Sequence, residues 1–231
     1  MGLCRFPHTL GNGQTLVFEK IPRIRSAAVG FFANTGSGNE SVELAGVSHF
    51  LEHMCFKGMA NHDWRQLSLN VDDHGAMWNA YTWWEGTTYF HWVQSERVVE
   101  SIKLLSDMMR PTIPIEEFDT EKKVILEEIT MYKGRPDFII SDELIQSAFA
   151  GHPLGQSILG TEKSIGRMER DEMTAYFDRQ YSPDNLTFIV TGRFDREEII
   201  QTVTDCCGTW ESNPTDREQG RPPSRLDRGS S

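Results

Sequence analysis

No stretch of this 231-residue sequence approaches the roughly 20 consecutive apolar residues that a membrane-spanning helix needs, so a membrane protein of that kind is not expected. The N-terminal "MGLCRFP" lacks the apolar core of a secretory signal, and Phe6 stands where the myristoylation pattern wants Ser or Thr. Basic charge is also short. With 23 Lys and Arg against 34 Asp and Glu the formal charge is -11, the wrong sign for a surface that displaces counterions from nucleic-acid phosphates. Cysteine is sparse, and Cys4, Cys55, Cys206 and Cys207 follow neither a disulfide framework nor the paired spacing of a zinc knuckle. They read as packing residues in a reducing compartment, and a cytoplasmic location is the expectation.

What is present is enough for a core. A hydrophobic fraction of 38% with 10% aromatic residues is the composition of a globular domain, not of a disordered chain. After the turn-forming "GNGQ", the segments "TLVFEK" and "SAAVGFFAN" read as strands, followed by the loop "TGSGNE". Around "HFLEH" (49–53), Val47, Phe50, Leu51 and Met54 recur at i, i+3, i+4, i+7, the stripe of a core-facing helix. "DWRQLSLNVDDHG" reads as a second helix ending near Gly75. "AMWNAYTWW" and "TTYFHWV" alternate and are aromatic, which predicts a hairpin turning at Glu85 and Gly86. Helices are expected over about Ser95 to Met109, Ile115 to Tyr132, Ser141 to Phe149 and Asp171 to Tyr181. "NLTFIVTG" is a late strand, and Asp195 with Glu198 suggests a capping box opening a last helix through Cys206. The predicted class is α+β, a largely antiparallel sheet with helices packed on one face. It occupies residues 1–211, with 212–231 a disordered polar tail or linker.

The chemistry concentrates in "HFLEH". At about 100° per residue, His49 and His53 lie ~40° apart on successive turns, so both imidazoles can reach one ion. Glu52 lies ~60° to the other side of His49, and the trio occupies the face opposite the apolar stripe. Three polar residues on a wet helix face would satisfy the same pattern. A catalytic zinc needs three protein ligands and an open position, so a further donor has to come from elsewhere. The helix over Ile115 to Tyr132 carries a stripe of Phe118, Ile125, Ile129 and Tyr132, and Glu121 and Glu128 fall in the same row, ~20° apart. Carboxylates in a core-facing row need a cation, either a metal or a basic side chain. Glu127 points ~100° away and is expected in solvent.

These residues resemble a known family. His-x-x-Glu-His is the inverted zinc motif of the inverzincin metallopeptidases, among them pitrilysin, insulin-degrading enzyme and mitochondrial processing peptidase. "GVSHFLEHMCFKG" is similar to the family's zinc helix and "EKKVILEEI" to the helix that supplies the third ligand. "NAYTWWEGTTYF" resembles the hairpin bordering the cleft, and "HPLGQSILG" and "YSPDNLTFIVTG" resemble later landmarks in the same order, over about residues 7–210. The resemblance implies a zinc endopeptidase with His49, His53 and Glu128 as ligands of Zn2+, Glu52 as general base for the attacking water, and Glu121 orienting a ligand histidine. It implies that a peptide or small protein substrate lies as an added strand near Asn79 and Ala80, although Asn79 also reads as an ordinary strand residue. Trp78, Trp83, Trp84, Tyr89 and Cys55 read as packing residues, and His152 as the holder of a loop. The chain departs from the family pattern at Gly75-Ala76, where a glycine pair is usual, and at Gly38, where an arginine is usual. It carries one copy of a domain that active members use twice, so a single metallopeptidase half-domain requiring a homologous second half or subunit is the expectation. The alternative is a non-catalytic assembly subunit of the same fold, like the core proteins of respiratory complexes.

Overall fold

The computed structural model describes residues 7–57 and 77–213. Six strands form one sheet: β1 (His8–Thr9), β2 (Thr15–Lys20), β3 (Ser26–Ala33), β4 (Met77–Thr82), β5 (Thr87–Gln94) and β6 (Leu186–Gly192), in the order β1-β2-β6-β3-β5-β4. Every neighbouring pair is antiparallel except β2 with β6. The strand period of two then sorts the side chains. Leu16 and Phe18, Ala27, Val29, Phe31 and Ala33, Tyr89 and Val93, and Leu186, Phe188 and Val190 are all buried. The register places Phe31 between Phe188 and Tyr89, so these residues share one face. The alternate residues Trp92 and Ile189 lie on the other face and are exposed.

Seven helices accompany the sheet among the described residues: α1 (Val47–Cys55), α2 (Val98–Met108), α3 (Ile115–Lys133), α4 (Pro136–Ala148), α5 (Glu162–Arg167), α6 (Arg170–Gln180) and α7 (Arg196–Cys207). The predicted α+β layering is therefore observed. Helix α2 packs on β3, β5 and α7, while α1 packs on β4, α3 and α6. The stripe of α1 behaves as its spacing predicts: Val47, Phe50, Leu51 and Met54 are all fully buried. Phe50 stacks on Phe118 of α3 at 4.8 Å, which brings the polar faces of the two helices alongside one another. No helix of the described residues is long and apolar enough to cross a membrane.

Several expectations shift in detail. Helix α4 begins at Pro136, five residues before the expected Ser141, because proline at the first helical position has its φ already set and needs no N–H partner. Helix α5 was not expected; the reciprocal capping box of Thr161 and Ser164 opens it, and its six residues are too few to show a period. The two-residue β1 was too short to see. Helix α7 is capped by the Asp195 carboxylate, which accepts from the backbone N–H of both Glu197 and Glu198. Tyr132 is half-buried rather than core, its ring against Phe138 at 4.0 Å. The expected helix at 63–75, the Gly75-Ala76 departure, Cys4 and most of the expected tail lie outside the described residues. At the near end of that tail Ser212 donates to Asp184 and the Asn213 N–H donates to Ser182.

Candidate metal centre

Helix α1 is held at its start by a buried acid. The Glu40 carboxylate accepts from the backbone N–H of Gly46 at 2.6 Å and of Ser48 at 2.7 Å, satisfying donors that a helix N-terminus leaves open. Burial nonetheless pushes Glu40 up to about 7, the two backbone bonds opposing it. Gly46 has φ of +91°, and a Cβ there would meet the Leu159 carbonyl oxygen at 2.6 Å, so glycine is required both for the turn and for the close approach. The Ser48 hydroxyl meets Tyr176 Oη at 2.7 Å, and Tyr176 Oη meets Thr35 Oγ1 at 2.8 Å. The first turn is thus tied to α6 and to the loop after β3.

One turn further on, the spacing of His49 and His53 takes effect. Their Nε2 atoms lie 3.3 Å apart, and Glu128 Oε2 of α3 lies 3.8 Å from His49 Nε2 and 3.7 Å from His53 Nε2. His49, His53 and Glu128 form a group whose ligand atoms all lie within 4.8 Å of one another. The Glu121 carboxylate takes His53 Nδ1 at 2.8 Å and Lys57 Nζ at 2.9 Å. A carboxylate on Nδ1 selects the tautomer that leaves the Nε2 lone pair facing Glu128 and His49. Glu52 sits beside the trio, its Oε2 accepting from Thr82 Oγ1 at 2.6 Å.

Burial and neighbouring charge shift each group of the centre. Burial, helped by His53, lowers His49 to about 3, so its imidazole is neutral and can donate a lone pair. Burial also works against charge on His53, but the Glu121 hydrogen bond and the neighbouring carboxylates outweigh it and raise that histidine. Glu121 is lowered because its bonds to His53 and Lys57 overcome its own burial. Glu128 and Glu52 are both raised, chiefly by burial. Among the described residues the centre gathers three carboxyl groups, Glu52, Glu121 and Glu128, and two imidazoles around one fixed positive charge, that of Lys57, and a metal ion would supply the missing charge.

A family model described as "Insulinase (Peptidase family M16)" matches residues 15–162. The chain belongs to peptidase family M16. A second model, described as the peptidase M16 inactive domain, matches residues 167–230. An uncharacterized zinc protease of Bacillus subtilis, YmxG, is 36% identical over 206 residues, which is 89% of this chain and 50% of that protein. The mitochondrial-processing peptidase subunit beta of Lentinula edodes is 33% identical over 194 residues, 84% of this chain and 42% of that protein. The crystal structure of a protease from Helicobacter pylori shares the fold, with a TM-score of 0.89 at 21% identity over 94% of this chain and 53% of that one. This M16 chain spans about half the length of the curated relatives it matches.

The residues singled out from the sequence thus fall into two places. His49, Glu52, His53, Glu121 and Glu128 are gathered at the α1–α3 contact. Asn79 and Ala80 lie on β4, the edge of the sheet: Asn79 is exposed, Ala80 is buried, and the Asn79 carboxamide oxygen accepts from the Ala80 N–H at 2.9 Å. Glu127 is exposed, as expected, and Glu128 is half-buried whereas Glu121 is buried. Cys55 is buried, and His152 accepts from the Leu154 N–H to hold its loop. Sequence reasoning missed Glu40, Lys57 and Thr82. Lys57 had a signal, four residues after His53 and just past the end of α1; Glu40 and Thr82 meet α1 only through the fold.

Proposed function

We propose that this chain is the catalytic half of a zinc metalloendopeptidase of family M16, with His49, His53 and Glu128 holding Zn2+ and Glu52 acting as general base. The observation that carries the reading is the convergence of two imidazole nitrogens and one carboxylate oxygen at 3.3, 3.7 and 3.8 Å. A tetrahedral zinc site with bonds of about 2.0–2.1 Å has donor-to-donor edges of about 3.4 Å, so the ion fits with little movement. Two histidines and one carboxylate leave a position open for water, the donor set of a catalytic rather than a structural zinc. Zinc bound there would polarise the scissile carbonyl and make water acidic enough to lose a proton near neutral pH.

The chain's own residues supply the rest. Glu52 takes a proton from the attacking water and returns it to the leaving amine nitrogen, and the upward push of burial on its carboxyl suits a group that must both accept and release a proton. Glu121 and Lys57 hold the His53 ring in the ligating orientation. Strand β4 is a sheet edge with exposed Asn79, a place where an extended peptide adds as a further strand near the base. A second homologous half would close the site, consistent with relatives of twice this span. The alternative of a purely structural assembly subunit is disfavoured by the donor geometry, because a scaffold has no need of a base beside two converging imidazoles. Zinc content is the deciding measurement: about one ion per chain in the parent and little in a folded His53→Ala variant. Absence of zinc from both, in folded protein with the second half present, would overturn the proposal.

A further inference from the structure

The hydrogen bond between Thr82 and Glu52 joins two elements that the function would have to coordinate. Thr82 is the last residue of β4, on the strand face shared with Trp78 and buried Ala80, the face toward α1. That face is fixed to the helix by a second contact, Trp78 against Phe56 at 4.8 Å. Across the hairpin Thr82 pairs with Thr87, whose hydroxyl donates to the Thr35 carbonyl oxygen at 3.0 Å. The two hydroxyl oxygens are 3.4 Å apart, but Thr87 has already spent its proton on a carbonyl. The Thr82 proton goes to Glu52 Oε2, at 2.6 Å the short distance of a bond to a carboxylate.

A glutamate has three rotatable bonds, so a half-buried one samples several orientations unless something outside its own helix holds it. Thr82 holds the carboxylate at Oε2 with its hydroxyl, and its backbone also bonds that carboxylate. It does so from the strand whose open edge would receive the substrate, two residues beyond Ala80. We propose that Thr82 is a positioning residue for Glu52, fixing the base and coupling its orientation to the strand on which the peptide lies. The inference rests on the proposed peptidase reading and deepens it.

The test compares Thr82→Val, which keeps the shape and removes the hydroxyl, with Thr82→Ser, which keeps the hydroxyl, in the protein assembled with its second half. If Thr82→Val does not fold, Thr82→Ala replaces it. The expected result for Thr82→Val is parental zinc content, KM within about twofold, and kcat reduced about 10- to 100-fold, with most of the loss recovered in Thr82→Ser. Parental kcat in Thr82→Val, or an equal loss in the valine and serine variants, would overturn the assignment, the latter because a retained hydroxyl would then do nothing for the base. Glu52→Gln in the same assay separates the two readings. If parent and Glu52→Gln are equally inactive, the peptidase reading fails, and the Thr82 assignment is then decided by crystal structures: a Glu52 carboxylate displaced in Thr82→Val and restored in Thr82→Ser supports it, and one unmoved in both removes it.

Discussion

Within eight residues of α3, two glutamates do different things because their surroundings differ. Glu121 is buried and already holds two positive partners, His53 and Lys57, so its charge is spoken for and its pKa falls. Glu128 is half-buried, and burial, with the nearby Glu121 charge, raises its pKa against the opposing pull of His53. Replacing each tests the division. Glu128→Gln should lower zinc affinity severely, since a carboxamide is a poor zinc ligand. Glu121→Gln should lower it about 10- to 100-fold, the usual cost of losing a partner behind a ligating histidine, measured by competition with a chelator. Glu52→Gln should keep zinc and lose hydrolysis by at least about 100-fold, the contribution of a general base. Equal zinc loss in Glu52→Gln and Glu128→Gln would show that the roles are wrongly divided.

Helix α1 is nine residues long, below the length at which a helix is stable alone in water, and it must present two imidazoles in register. Packing of Phe50 on Phe118 and the Glu40 cap supply what propensity cannot. Glu40 also gives this element a pH dependence. Its ordinary value is 4.5 and burial raises it to about 7, so between those values the folded chain holds a proton that the unfolded chain has released. Stability from this group is therefore present in full below about 4.5 and is lost as pH rises through about 7, on the order of 3 kcal/mol across the window. Glu40→Gln should abolish that component. Urea unfolding of both zinc-free proteins from pH 4.5 to 8 should show the parent losing stability more steeply as pH rises, and parallel profiles would refute the assignment. The difference between the two proteins isolates Glu40, because His49 and His53 titrate in both.

For the whole molecule the decisive fact is proportion: the match to YmxG spans 89% of this chain but 50% of that protein. One face of its sheet carries the helices while Trp92 and Ile189 stand exposed on the other. The α4 helix has no buried residue although it contains Phe138, Ile139, Ile140 and Leu144, all exposed. A chain with that much open apolar surface and a metal centre beside a sheet edge should bind zinc by itself yet hydrolyse peptides poorly. Adding the homologous second half should raise kcat/KM by at least about 100-fold with zinc content unchanged, measured on a fluorogenic peptide at fixed chain concentration. Full activity of the chain alone would remove the need for a second half.

The local patterns were legible in the sequence because they depend only on period. His49 and His53 four apart, the Val47, Phe50, Leu51 and Met54 stripe, and the alternation of β5 each follow from the pitch of a helix or the pleat of a strand, and the helices and longer strands stand close to where that reading puts them. Glu121 and Glu128 could be placed on one row by the same rule, but not told apart by it: the row had to be set against α1 before one met Lys57 and the other met two nitrogens. Resemblance to a family supplied the roles that geometry alone left open. Glu40, Thr82 and the stacking of Phe50 on Phe118 lie 8, 30 and 68 residues from their partners along the chain, and no periodicity reaches across such a gap. Secondary structure is set by neighbours a few residues away, and so the sequence by itself determined which side chains share a face; only the tertiary structure, which brings α3 and β4 against α1, decided which of those faces meet and therefore where a metal and its base can sit.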